Sequence, residues 1–121
     1  MKSIIIEDEF LIGTFIENNL KKRNIEVLDV IDNQQDAIKA IKEHEPDLVI
    51  IDKNLKHGGC GIEVFNTCKT QKAHFIFITG TNKDVIERIE SLGCNVITKP
   101  FDSTEFLAAL DKIQLELKLV V

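Results

Sequence analysis

Six polar side chains stand at the ends of short aliphatic runs in this 121-residue chain. Glu7, Asp8 and Glu9 follow the run ending at Ile6. Asp52 ends "DLVIID", Thr79 follows Ile78, and Lys99 stands two residues after Ile97. A carboxylate closing a run as apolar as Leu48, Val49, Ile50 and Ile51 must lose water. It is expensive there unless a charge or a hydrogen-bond donor meets it.

If Glu7, Asp8 and Asp52 lie within several Å of one another, each like-charge pair near 5 Å costs roughly 3 kcal/mol at an effective dielectric of about 20. One lysine cannot neutralise three acids. Either a carboxylate takes a proton, or a hard divalent cation with oxygen ligands, Mg²⁺ (or Mn²⁺), sits among them. A carboxylate held beside such a cation at an exposed edge can act as a nucleophile toward a phosphoryl group. Lys99, Thr79 and the cation would then hold the three equatorial oxygens of the transferring group. Those parts are sufficient to form an aspartyl phosphate.

The elements that must position these groups are legible as an alternation. Strand-like runs occur at residues 3–6, 27–31, 48–51, 75–78 and 96–97. Between them apolar residues recur at helical spacing: Leu11, Ile12, Phe15, Ile16 and Leu20; Ala37, Ile38, Ala40 and Ile41; Val64, Phe65 and Cys68; Val85, Ile86, Ile89 and Leu92. A last stripe joins Phe106, Leu107, Leu110, Ile113 and Leu117. Thr81 with Asp84, and Asp102 with Glu105, have the spacing of capping boxes, and Asn33 is placed to cap the second helix. Pro46 ends that helix. The spacing predicts an α/β fold of five βα units, with a doubly wound, five-stranded parallel sheet covered on both faces. In such sheets ligands sit at the carboxyl ends of the strands, where all six polar residues fall.

Composition narrows the possibilities. The length suits one domain, 1–121, with one core. A net charge of −5 argues against direct nucleic-acid binding. No run of about 18 apolar residues is present, so no membrane span is expected. Three cysteines, Cys60, Cys68 and Cys94, lack metal-site spacing and point to reduced thiols in the cytoplasm. Glu9 is read as a first-turn helix acid. His44, His57 and His74 are read as solvated, and the closing Leu119, Val120 and Val121 as exposed apolar residues.

The stretches "IIIEDE", "PDLVIIDKNL", "GIEV", "FITG" and "ITKPF", in this order and spacing, resemble the receiver domain of two-component response regulators over essentially the whole chain. The resemblance implies flavodoxin-like topology with strand order 2-1-3-4-5. It implies Asp52 as phosphoacceptor, with Thr79 as the switch hydroxyl and Lys99 as its partner lysine. Mg²⁺ would be held by Glu7, Asp8, Asp52 and the backbone carbonyl of Asn54. Gly80 would leave the phosphoryl group room, Asn54 and Thr81 would tune its lifetime, and Pro100 would follow a cis peptide bond. The implied activity is that of a phosphoacceptor and not of a conventional enzyme, self-catalysed phosphotransfer and autodephosphorylation aside. The implied partners are a histidine kinase or histidine phosphotransfer protein, and an output protein of unknown identity.

Departures from the family pattern are specific. Val96 stands where an aromatic residue is usual, and "GCNVITKP" is one residue short. Lys56 replaces a usual proline. Cys60 replaces an acid, and the fifth helix lacks the basic run of the DNA-binding branch. A stand-alone monomer or weak dimer that signals through a protein partner is therefore expected. The alternative is a receiver-like interaction module whose switching is altered or lost.

Overall fold

The computed structural model describes residues 1–120, with side chains up to Glu116. The side chains of the apolar tail, including Leu119, Val120 and Val121, lie outside the described residues. The elements alternate strictly: β1 Lys2–Ile6, α1 Phe10–Lys22, β2 Glu26–Ile31, α2 Gln34–His44, β3 Leu48–Asp52, α3 Gly61–Cys68, β4 His74–Thr79, α4 Lys83–Ser91, β5 Asn95–Thr98 and α5 Ser103–Val120. All strand pairs are parallel, and the sheet order is β2-β1-β3-β4-β5, as expected for five βα units.

Side chains alternate across the sheet because successive residues of a strand point to opposite faces. Ile4, Ile6, Val49, Ile51, Phe75 and Phe77 pack with Ala37, Ile41, Ile62, Val64 and Ile89 of α2, α3 and α4. Ile5, Ile50, Ile76 and Ile78 pack with Ile16 and Leu20 of α1 and with Phe106 and Leu110 of α5. The central strand β3 is buried at every position, which explains its unbroken apolar run. The edge strand β2 is different. It exposes Glu26, Asp29 and Val30, and its register with β1 shifts between Ser3 and Ile4.

Helix starts show where local pattern suffices. Asn33 caps α2, its side chain accepting the Asp36 N–H at 2.9 Å. Asp102 and Glu105 form the expected reciprocal box at 2.8 and 3.3 Å. The Thr81–Asp84 box does not form. Helix α4 begins one residue later, so Asn82 is the cap and accepts the Val85 N–H at 3.2 Å. Glu9 occupies the N-cap position of α1 rather than its first turn, without a side-chain cap bond. Leu11, counted into the α1 stripe, is 80% exposed, and Phe10 beside it is 83% exposed. Neither side chain belongs to either buried cluster, although Leu11 borders a surface cleft with Ile12 and Phe15.

Gly61 opens α3 directly against β3. A side-chain carbon there would collide with the Asp52 carbonyl oxygen. Only glycine lets the helix start this close to the strand.

Candidate functional site

The strand register brings the singled-out residues level. Ile6 pairs with Ile51, so Glu7 and Asp52 stand side by side at the ends of neighbouring strands. Asp52 pairs with Ile78 and Thr79 with Thr98, which places Thr79 and Lys99 on the other side of Asp52. Carboxylate oxygens of Glu7, Asp8 and Asp52 all lie within 4.8 Å of one another. Lys99 Nζ donates to Asp52 Oδ2 at 2.7 Å and lies 3.6 Å from Glu7 Oε1. Lys99 is held in place by its own backbone, whose N–H donates to the Thr79 carbonyl at 2.7 Å. The Lys99–Pro100 peptide is cis, as anticipated.

The electrostatics follow from burial. Glu7 is only 3% exposed. Burial first, and then the adjacent negative charge and hydrogen bonding of Asp52, push its pKa up from 4.5 to about 8. Lys99 and the Glu9 N–H only partly oppose the rise. Glu7 therefore keeps a proton near neutrality in the metal-free protein. Burial also works against the Lys99 charge, but the hydrogen bond and charge of Asp52, helped by Glu7 and Glu9, outweigh it and raise its pKa. Glu7 Oε2 is buried with no hydrogen-bond partner among the described residues. An orphaned carboxylate oxygen beside two further carboxylates is a donor set suited to a hard divalent cation. Glu7, Asp8 and Asp52 fit such an ion.

Of the remaining singled-out residues, Thr79, Gly80, Thr81 and Asn54 stand at or just after the strand ends that carry this cluster, whereas Val96 and the histidines lie elsewhere. Thr79 is buried at the end of β4, Gly80 and Thr81 are exposed after it, and open space surrounds the Gly80 Cα. Asn54 follows Asp52 in the loop, and its N–H donates to Asp52 Oδ1 at 3.1 Å. Val96 is half-buried in β5. His44 and His57 are exposed as expected. His74 is half-buried and shares a 2.7 Å hydrogen bond with Asn95 of the neighbouring strand, so it is not a solvated side chain.

Two residues near the site escaped the sequence reading. Lys56 reaches Asp32, at the end of β2, with Nζ 3.0 Å from Oδ2. Gln34, the first residue of α2, accepts the Cys60 N–H at 2.9 Å through Oε1. The replacement of a usual proline by Lys56 was the available signal for the first. Nothing local marked the second, because its partner lies 26 residues away.

The chain matches the response regulator receiver domain over residues 4–111. Several solved structures share its fold. The response regulatory domain of the protein mrkE from Klebsiella pneumoniae superposes with a TM-score of 0.85 at 23% identity, covering 98% of this chain and 99% of that one. A DNA-binding response regulator of the LuxR family from Staphylococcus aureus gives 0.82 at 25% identity, with 93% and 97% covered. The response regulator PhyR from Brucella abortus gives 0.79 at 26% identity, and the match spans 98% of this chain but 50% of PhyR.

Proposed function

Because the chain belongs to the response regulator receiver domain family, we propose that it is a phosphorylation switch whose phosphoacceptor is Asp52. The donor is a phosphohistidine of a histidine kinase or phosphotransfer protein. The observation that carries this reading is the joint placement of Asp52, Glu7, Asp8 and Lys99. A nucleophilic carboxylate lies 2.7 Å from an ammonium group, inside a cluster able to hold a divalent ion.

In the transfer, a carboxylate oxygen of Asp52 forms a bond to phosphorus as the phosphorus–nitrogen bond of the donor breaks. The electron pair departs to the imidazole nitrogen. Glu7, Asp8, Asp52 and the Asn54 carbonyl would hold a divalent cation, which would supply charge neutralisation for the phosphoryl oxygens. Lys99 then exchanges its Asp52 contact for a phosphoryl oxygen, and the Thr79 hydroxyl donates to another. Gly80 leaves that approach open, and Asn54 and Thr81 flank it and set how readily water attacks. Pro100 fixes the turn that aims Lys99. Beside the site, Leu11, Ile12, Phe15, Pro100 and Phe101 line an apolar cleft of about 340 Å³ with Lys99. With the exposed Phe10, this cleft offers a donor protein a surface to rest on.

No described helix is long and apolar enough to cross a membrane. A cytoplasmic location, a single domain over 1–121, and output through a protein partner complete the proposal. Incubation with acetyl phosphate and Mg²⁺ tests it. We expect a mass gain of one phosphoryl group that vanishes in Asp52→Ala; a gain that persists in the variant refutes the assignment.

One observation favours a second reading, a receiver-like interaction module that no longer switches. Val96 offers no ring to swing inward at the position where the family usually has one. Partner affinity that is equal with and without phosphorylation would establish that reading.

A further inference from the structure

The loop after Asp52 is hydrogen-bonded at both ends and across its middle, by Leu55 N–H to the Gly59 carbonyl at 2.9 Å and Gly61 N–H to the Lys53 carbonyl at 2.7 Å, and it leads in the direction of α2. Asp52 Oδ1 accepts the Asn54 N–H at 3.1 Å. Asn54 pairs with Cys60 in an isolated antiparallel bridge across the loop. The Cys60 N–H then donates to Gln34 Oε1 at 2.9 Å, and Gln34 is the first residue of α2. The loop also packs directly on this side chain, since a carbon on the Gly59 Cα would stand 3.1 Å from Gln34 Cβ. Lys56 adds two bonds to Asp32, through its N–H to the carbonyl at 3.2 Å and through Nζ to the carboxylate at 3.0 Å. Leu55, 5% exposed, anchors the middle of the loop in the core.

On the opposite flank, β5 and α5 carry ties of their own. Strand β5 is tied to β4 at its base by His74 and Asn95 and at its top by the Lys99 N–H to the Thr79 carbonyl, both at 2.7 Å. Helix α5 meets the C-cap of α1 through a two-pronged Arg23–Asp111 pair at 2.7 and 3.0 Å. Val96 between these ties is aliphatic. By contrast, the acceptor loop borders open space. A crevice of about 460 Å³ beside the Gly59–Gln34 contact is lined from both sides, by Gln35 and Ile38 of α2 and by His57 and Gly58 of the loop among others.

We propose that Gln34 is a positioning residue that joins the loop after Asp52 to α2, so that phosphorylation of Asp52 is read at the first turn of α2. This rests on Asp52 being the phosphoacceptor. Phosphoryl transfer converts the ionised carboxylate into the acyl group of a mixed anhydride, a weaker acceptor for the Asn54 N–H, and places anionic phosphoryl oxygens beside it. The Asn54 N–H follows the stronger acceptor. The loop moves with it, and Gln34 carries the displacement into α2.

Amide exchange measured by NMR tests the coupling, with phosphorylation by acetyl phosphate and Mg²⁺ verified by mass in the same samples. In the wild-type protein the Cys60, Asp36 and Ala37 amides should change exchange rate severalfold on phosphorylation. In Gln34→Ala, Asp52 should still gain the phosphoryl mass while the change at Asp36 and Ala37 disappears. Gln34→Glu, which retains an acceptor oxygen, should restore it. A phosphorylated wild type whose changes are confined to α4 and β5 overturns the proposal, as does a Gln34→Ala variant that keeps the α2 response. Absence of any mass gain in the wild type overturns the phosphoacceptor reading and this proposal with it.

Discussion

Glu7 makes divalent-ion binding a proton-exchange reaction. Its pKa is raised to about 8, and the cation requires the carboxylate, so the ion and the proton compete for one group. About one molecule in a hundred has an ionised Glu7 near pH 6, and about nine in ten near pH 9. Apparent affinity scales with the competent fraction, so Mg²⁺ binding should tighten roughly ninetyfold across that range, worth about 3 kcal/mol. The chain has no Trp and no Tyr, so calorimetry replaces fluorescence as the assay. Titrations in two buffers of different ionisation enthalpy should report nearly one proton released per ion near pH 6 and almost none well above pH 8. Glu7→Gln has no proton to release there. It should bind more weakly at high pH and lose the proton release attributable to this site. A wild-type affinity that stays flat from about pH 6 to pH 9 would refute the burial argument for Glu7.

The same raised pKa governs stability without metal. The folded state holds a proton that the unfolded chain releases between pH 4.5 and about 8, so unfolding free energy falls as pH rises through that window. Urea denaturation at several pH values checks this; added Mg²⁺ should offset the loss at the alkaline end. Phe77→Ala removes a fully buried ring packed against Phe65 and Phe75 and should cost about 3–5 kcal/mol, read from the same urea curves. Gly61→Ala should destabilise by about 1–3 kcal/mol and slow phosphorylation, because α3 must retreat from the Asp52 carbonyl. Asp102→Ala should cost about 1 kcal/mol through lost capping of α5, with no change in phosphorylation rate.

The architecture was legible because each layer wrote itself into local pattern. Buried β3 is apolar at every step before Asp52, helices show their stripes, and turn residues separate them. The cluster was legible because polar residues directly after buried runs converge once the strands are parallel. What stayed hidden depends on partners distant in sequence or on small shifts of phase. The periodicity of Leu11 matches the buried stripe, yet its side chain stays exposed in the first turn of α1. Thr81 and Asn82 are both competent caps, and only the start of α4 decides between them. His74 meets Asn95, and Gln34 meets Cys60, through register and loop path that no short window contains.

The rim of the sheet has a consequence for behaviour at high concentration. Adding a foreign strand demands a long, flat edge with free backbone groups. On one side β2 offers a broken register and protruding Glu26 and Asp29; on the other β5 has only four residues. Neither border invites edge-to-edge polymerisation. The protein can therefore keep a sheet this rich in Ile and Val without that sheet becoming a template for fibres.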